Sequence, residues 1–320
     1  MVTGGRGFSA ERARAARDAG LQSVSVSVDG TPGSHDALRG VRGSFDAAMA
    51  AIAHARAAGV QATANTQIGR ANVRDIPALF EALIAAGIAA WQVQITVPMG
   101  RAADEPELLL EPYQMLEVMP MIERLKSRAD AAGVVFWPGN NIGYFGPHEE
   151  QLRDSLAECH RGSCGAGRTT LGIESNGNVK GCPSLPSDVY VGGNVREHPL
   201  IDLWERSQPL RFMRERSVDD LWGHCKTCYY AAECLGGCSW TAHSSTGRPG
   251  NNPYCHHRAL TLLRGGRRER LERRAAPPGR SFDLGVFDLV EEGWPAGELE
   301  SARGVSRGEE AWLCLPGERR

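Results

Sequence analysis

The most evident chemistry in this 320-residue chain lies in its nine cysteines, which are unevenly placed. None precedes Cys159, seven lie between Cys164 and Cys255, and Cys314 stands alone near the end. The spacing runs Cys164, twelve residues, Gly177, four residues, Cys182; then Cys225-x2-Cys228-x5-Cys234-x3-Cys238, and sixteen residues to Cys255. Thiolates are soft, strongly donating ligands suited to zinc or to iron–sulfur clusters. Two residues between cysteines let both sulfurs reach one centre from a tight turn. In a reducing cytoplasm such clustering reads as metal ligation rather than as a disulfide framework. With Cys159 as an eighth ligand, the set would serve two four-ligand sites. A structural zinc module is the plainer alternative, and His224, His256 and His257 could complete one, but the unequal spacing fits no common ribbon or finger. Supporting or surface positions are expected for these histidines. Trp204, Trp222 and Trp240 are expected to pack around the bound groups and keep them dry, and Cys314 to be a free thiol.

A second group of polar residues lies far upstream. Ser27-Val28-Asp29-Gly30 is followed by His35-Asp36-Ala37-Leu38-Arg39-Gly40. A cofactor with an α-amino-acid end needs a carboxylate or hydroxyl for its ammonium and a guanidinium for its carboxylate. Ser27, Asp29 and Arg39 are candidates, with Asn65 beside them; their alternative role is turn stabilisation. Gly4-Gly5-Arg6-Gly7 is no dinucleotide fingerprint.

The elements that position these residues are announced by a repeat. Ala-Gly-aliphatic recurs at Ala19-Gly20-Leu21, Ala58-Gly59-Val60, Ala86-Gly87-Ile88 and Ala132-Gly133-Val134. Each copy follows a helical stretch (9–18, 44–57, 72–85 and 112–131) and precedes an extended one (22–28, 61–67, 90–97 and 134–137). Ser9, Ser44 and Asn72 suit helix N-caps, and the glycines can adopt the left-handed conformation that stops a helix. Such units require right-handed crossovers and a mostly parallel sheet, with chemistry on the loops after the strands. The fold class is therefore α/β. Gln92, Gln94 and Thr96 alternate, so one strand has a polar face that could point into a barrel lumen; Arg101 and Asp104 lie just beyond it. The loop Trp137 to Pro147 has aromatics and amides that suit either peptide contact or an ordered linker. Four segments result: 1–140 as α/β fragment, 141–158 as linker, 159–257 as cysteine-rich domain, and 258–320 as a basic helix, Arg258 to Arg274, with a partly disordered tail. An edge strand within Phe282 to Val290 and disorder over the last twenty residues are expected there.

The net charge of −2 gives no electrostatic case for nucleic acid or an anionic membrane. No run of 18 or more apolar residues exists, so a cytoplasmic protein is expected.

The cysteine run, with Gly172-Ile173-Glu174-Ser175-Asn176-Gly177-Asn178-Val179, Gly193-Asn194-Val195-Arg196 and Leu203-Trp204, resembles the SPASM domain of radical S-adenosylmethionine (SAM) enzymes. The SxDG and HDxxRG pair resembles the segment after the fourth strand of the radical SAM barrel. The resemblance implies two auxiliary [4Fe–4S] clusters, one on Cys164, Cys182 and Cys238 with Cys159, the other on Cys225, Cys228, Cys234 and Cys255. It also implies SAM as cofactor, a peptide or protein substrate, and an electron donor such as flavodoxin or ferredoxin. In sulfatase-maturating relatives an Asp follows the second SPASM cysteine; Pro183 here points instead to maturation of a ribosomally made peptide. The family's CxxxCxxC loop, which holds a third, SAM-binding cluster, is not in this sequence. Two β/α units are therefore expected ahead of the given start, and the 320 residues by themselves are expected not to cleave SAM. A non-catalytic electron-transfer or peptide-binding module is the alternative reading.

Overall fold

In the computed structural model, which describes residues 1–154, 163–280 and 283–306, the repeat builds a sheet. The strands are β1 (Val2–Thr3), β2 (Ser23–Ser27), β3 (Gln61–Ile68), β4 (Ala90–Ile95) and β5 (Val135–Pro138). All neighbours are parallel, in the order β1-β2-β3-β4-β5. The intervening helices are α1 (Ala10–Asp18), α2 (Pro32–Arg39), α3 (Ser44–Ala57), α4 (Ile76–Ala86), a short α5 (Arg101–Asp104) and α6 (Met115–Ala131). Gly20, Gly59, Gly87 and Gly133 all take positive φ, between 69° and 93°, as the stop signal requires. Strands that follow one another in sequence and in space wind in one direction, as in a barrel wall.

The two faces of this sheet differ in kind. Val24, Val26, Ala62, Ala64, Ile68, Trp91, Val93, Ile95 and Phe136 point to the helices and are buried in one core. The opposite face carries a polar row in register, Ser27 against Asn65, Asn65 against Gln92, and Gln92 against Trp137. Parallel sheets wound on both sides are apolar on both; a single apolar face is what a barrel wall with a polar lumen would show. Asn65 donates to Gln92 at 2.8 Å and Gln67 to Gln94 at 3.2 Å, so the amides satisfy one another across strands.

The cysteine-rich region has a small antiparallel sheet of β6 (Gly172–Ile173), β7 (Asn178–Lys180) and β8 (Val191–Asn194). Its apolar clusters are small: Ala166, Leu185, Tyr190 and Met213 in one, and Val179, Leu203 and Leu210 in another. The helix His256–Arg264 docks back onto the main core through Leu260 and Leu263.

Several expectations are corrected. Ser9 caps α1 by accepting from the Arg12 N–H, but Ser44 is the first residue of α3 and Gly43 its cap. Asn72 makes no cap bond; its side chain ties strand ends together instead. The basic segment is a helix only to Arg264. Gly265-Gly266 ends it, and β9 (Arg267–Ala275) pairs antiparallel with β10 (Val286–Gly293). Arg and Glu favour helix when isolated, but here Arg267 meets Glu291, and Arg268 and Arg270 meet Glu292, across the hairpin. The helix Glu298–Val305 occupies part of the stretch expected to be disordered. Within the segment expected to be a linker, Ile142 and Leu152 join the main core.

Candidate functional site

The first site lies at the carboxyl ends of β2, β3 and β4. Asp29 is buried, and its two oxygens have separate tasks: Oδ1 accepts the Gln67 N–H at 2.9 Å, while Oδ2 pairs with Arg39 at 2.5 Å. The Asp29 N–H donates to Nδ1 of buried His35 at 2.9 Å. That bond requires a neutral imidazole with its proton on Nε2, and burial lowers the His35 pKa accordingly. Asp36 caps α3, accepting from Gly43 and Phe45 N–H and from the Ser44 hydroxyl. Asn72 donates to the carbonyls of Asp29 and Gln67. Asp29 is thus met by both His35 and Arg39 of the HDxxRG segment, and Arg39 lines a cleft with Asp29, Gln67, Asn72, Thr96 and Arg101. Ser27 and Asn65 do not line this cleft; they sit side by side farther back on the polar face. Asp104 is exposed and outside the cleft, and the Arg101 guanidinium donates to the Leu38 carbonyl.

Two further cavities divide the cysteines. Cys225, Cys228, Cys234 and Cys255 line one, together with His224, His257, Arg258, Tyr144 and Phe145. Cys164, Cys182 and Cys238 line the other, with Asn140, Tyr144 and Trp240. Cys159 and Cys314 lie outside the described residues. The four-residue step from Cys234 to Cys238 sends neighbouring thiols to different cavities, and it turns through Leu235, Gly236 and Gly237, all at positive φ.

The donors fit a soft, multi-iron group. Burial first, then repulsion from Cys255, Cys225 and Cys228, pushes the Cys234 thiol far up; burial foremost raises Cys182, Cys225, Cys228 and Cys255, and pushes Cys238 up to about 12. Metal ligation is the usual way for such buried thiols to lose their protons. Among the described residues no three His, Cys, Asp or Glu side chains converge where a single ion would sit. Burial lowers His224 to about 3 and His257 to about 4, so both line the cavity wall uncharged.

Sequence reading missed the wall between the cavities. Tyr144 lines both, is fully enclosed, and accepts the Cys238 N–H on its hydroxyl at 3.0 Å. Tyr144 and Phe145 take φ of 72° and 51°, a conformation costly for bulky residues and common where function demands it. The loop that carries them is held by Arg153, whose guanidinium donates to the carbonyls of Pro138, Gly139 and Ile142. Of the three tryptophans, Trp240 lines a cavity; Trp204 and Trp222 instead lie under Arg214 and Arg248.

The chain is similar to known proteins in sequence and in fold. The model of the SPASM iron–sulfur cluster-binding domain matches residues 164–229. The chain is 29% identical over 280 residues to an AdoMet-dependent heme synthase of Nitratidesulfovibrio vulgaris, covering 81% of this chain and 71% of that protein. It is 31% identical over 240 residues to the mycofactocin maturase MftC of Mycobacterium ulcerans, covering 72% of this chain and 60% of the relative. The solved structure of native anSMEcpe with bound AdoMet and Cp18Cys peptide shares the fold, with a TM-score of 0.59 and 18% identity over 79% of this chain and 69% of that one. No helix among the described residues is long and apolar enough to cross a membrane.

Proposed function

Given that the chain is a radical SAM/SPASM protein, we propose that it holds two auxiliary [4Fe–4S] clusters and serves the modification of a ribosomally made peptide or protein side chain. The observation that carries this reading is the division of seven cysteines between two adjoining cavities. Cys225, Cys228, Cys234 and Cys255 would hold one cluster; Cys164, Cys182 and Cys238, with Cys159, the other. S-adenosylmethionine, reductively cleaved at a third cluster, supplies the hydrogen-abstracting radical in such enzymes. Arg39, oriented by Asp29, would take the carboxylate of its amino-acid end. Ser27 and Asn65 would offer polar contacts farther along the same face. The amide row of Asn65, Gln67, Gln92 and Gln94 supports a peptide substrate, because amides pair with main-chain groups. A flavodoxin or ferredoxin would supply electrons.

Similarity to a heme synthase at 29% identity favours a second reading, action on a tetrapyrrole. Co-expression of a form that also carries the third-cluster loop with a small peptide encoded beside this gene, followed by mass spectrometry of that peptide, separates the two. A mass change in the peptide supports maturation; none, with turnover of a tetrapyrrole, overturns it.

The cluster reading has its own test. Anaerobic reconstitution should give about eight irons and eight sulfides per chain, with Mössbauer parameters of cubanes. Stoichiometric zinc without sulfide would overturn it. With no cysteine before Cys159, the 320-residue chain alone should release no 5′-deoxyadenosine from SAM and dithionite, and clear release would sink that part. In a form that also carries the third-cluster loop, calorimetry on SAM should find Arg39→Ala at least about tenfold weaker than wild type, the loss of one charge-assisted contact; equal affinity counts against the assigned role.

A further inference from the structure

Arg258 is the one charged side chain among the described residues that line the cavity of Cys225, Cys228, Cys234 and Cys255. It is almost wholly buried, with 3% of its side chain exposed. A guanidinium has five N–H donors, and their destinations can be followed. Nε and Nη2 each donate to Glu269 at 2.6 Å; Nη1 donates to the Asn251 side chain at 2.7 Å and to the Asn252 carbonyl at 3.1 Å. Burial pushes the Cys225 and Cys255 thiols up, and the Arg258 cation acts against that rise at both. Glu269 belongs to neither the cavity wall nor the cysteine-rich region. It comes from β9, and 6% of its side chain is exposed.

We propose that Arg258, held in place by Glu269, is a tuning residue that raises the reduction potential of the cluster bound by Cys225, Cys228, Cys234 and Cys255. The hairpin of β9 and β10 would then be part of the redox site. Adding an electron to a cluster adds negative charge, so a fixed cation in the cavity wall stabilises the reduced form more than the oxidised one. The Glu269 carboxylate opposes part of this effect while fixing the guanidinium. The other cavity supplies a contrast. Arg216, whose charge reaches Cys164, stacks on Phe212, donates to Ser239, and does not line that space.

This inference rests on the reading that these cysteines bind a cluster, and one experiment separates the failure of each. The full chain is reconstituted with iron and sulfide and titrated with dithionite, the one-electron source, while EPR follows each cluster. Arg258→Gln removes the cation and leaves the carboxylate, so the potential should fall. Glu269→Gln removes the carboxylate and leaves the cation, so it should rise. Opposite shifts from two near-isosteric changes are the signature of charge; damage to the site would move both the same way. The cluster on Cys164, Cys182 and Cys238 should shift far less in either variant. Shifts of the same sign, or none, would overturn the proposal. If Arg258→Gln fails to hold iron, Glu269→Gln decides alone: an upward shift supports, an unchanged potential overturns. A wild-type chain without iron at these cysteines overturns the cluster reading, and the inference with it.

Discussion

Residues 1–138 and residues 163–257 differ in what fills their interiors. In the former, Trp91 stacks on Phe80 at 4.4 Å between centroids and meets Phe136 edge-on, inside a continuous apolar core. In the latter the apolar clusters are small, and the largest spaces are lined by cysteines, glycines and tyrosines. Side chains that pack against one another can hold a fold without help, whereas side chains arranged around a space need whatever occupies it. The first region should therefore be stable by itself, and the second should owe much of its stability to bound metal.

Iron removal is the severest test of this contrast. Chelation should abolish amide-exchange protection across residues 163–257 while leaving β2, β3 and β4 protected. Uniform loss, or none, would break the comparison. Trp91→Ala should do the reverse, costing about 3–5 kcal/mol in the α/β unit at unchanged iron content, read by denaturant titration beside iron analysis. A smaller effect is expected between the regions. Buried Asn141 spans the end of β4, donating to the Ile95 carbonyl at 2.7 Å and accepting its N–H at 3.2 Å. Asn141→Ala should cost about 1–3 kcal/mol through those orphaned groups, and should also loosen the loop that carries Tyr144. Wild-type iron retention with unchanged stability would contradict this.

The smallest expected effect is a pH slope. The folded pKa of His35 lies below its unfolded value of 6.5, so the unfolded chain binds the proton more readily. Its contribution to stability is present above about 6.5 and is lost as pH falls through the folded value. Stability measured from pH 8 to 5 should fall less steeply in His35→Gln than in wild type; parallel curves would refute the neutral-imidazole role.

Local signals were strong enough to read much of this. The Ala-Gly-aliphatic repeat located the four helices and the strands after them to within a few residues, because a left-handed glycine marks a helix end regardless of tertiary context. The described thiols that the family resemblance groups together line a common cavity in each case. Non-local residues stayed hidden. Nothing near Arg267–Ala275 announces a strand, since its acidic partners at Glu291 and Glu292 lie some twenty residues on. Tyr144 and Arg258 carry no motif, and their importance comes from what the fold brings beside them. Ser27 and Asn65, candidates beside Asp29 and Arg39 in the sequence, lie outside the cleft that Asp29 and Arg39 line, a separation set by strand register rather than by a local signal.

The two-faced sheet has a consequence for how such a protein can diverge. Val24, Ala64, Trp91 and Val93 are committed to the core, while Ser27, Asn65, Gln92 and Gln94 alternate with residues of this kind on the same strands yet support no core packing. Mutation on the second set costs cross-strand hydrogen bonds but no core packing, so selection for a new cargo could act there one residue at a time. A heme synthase and a mycofactocin maturase both share recognisable sequence with this chain.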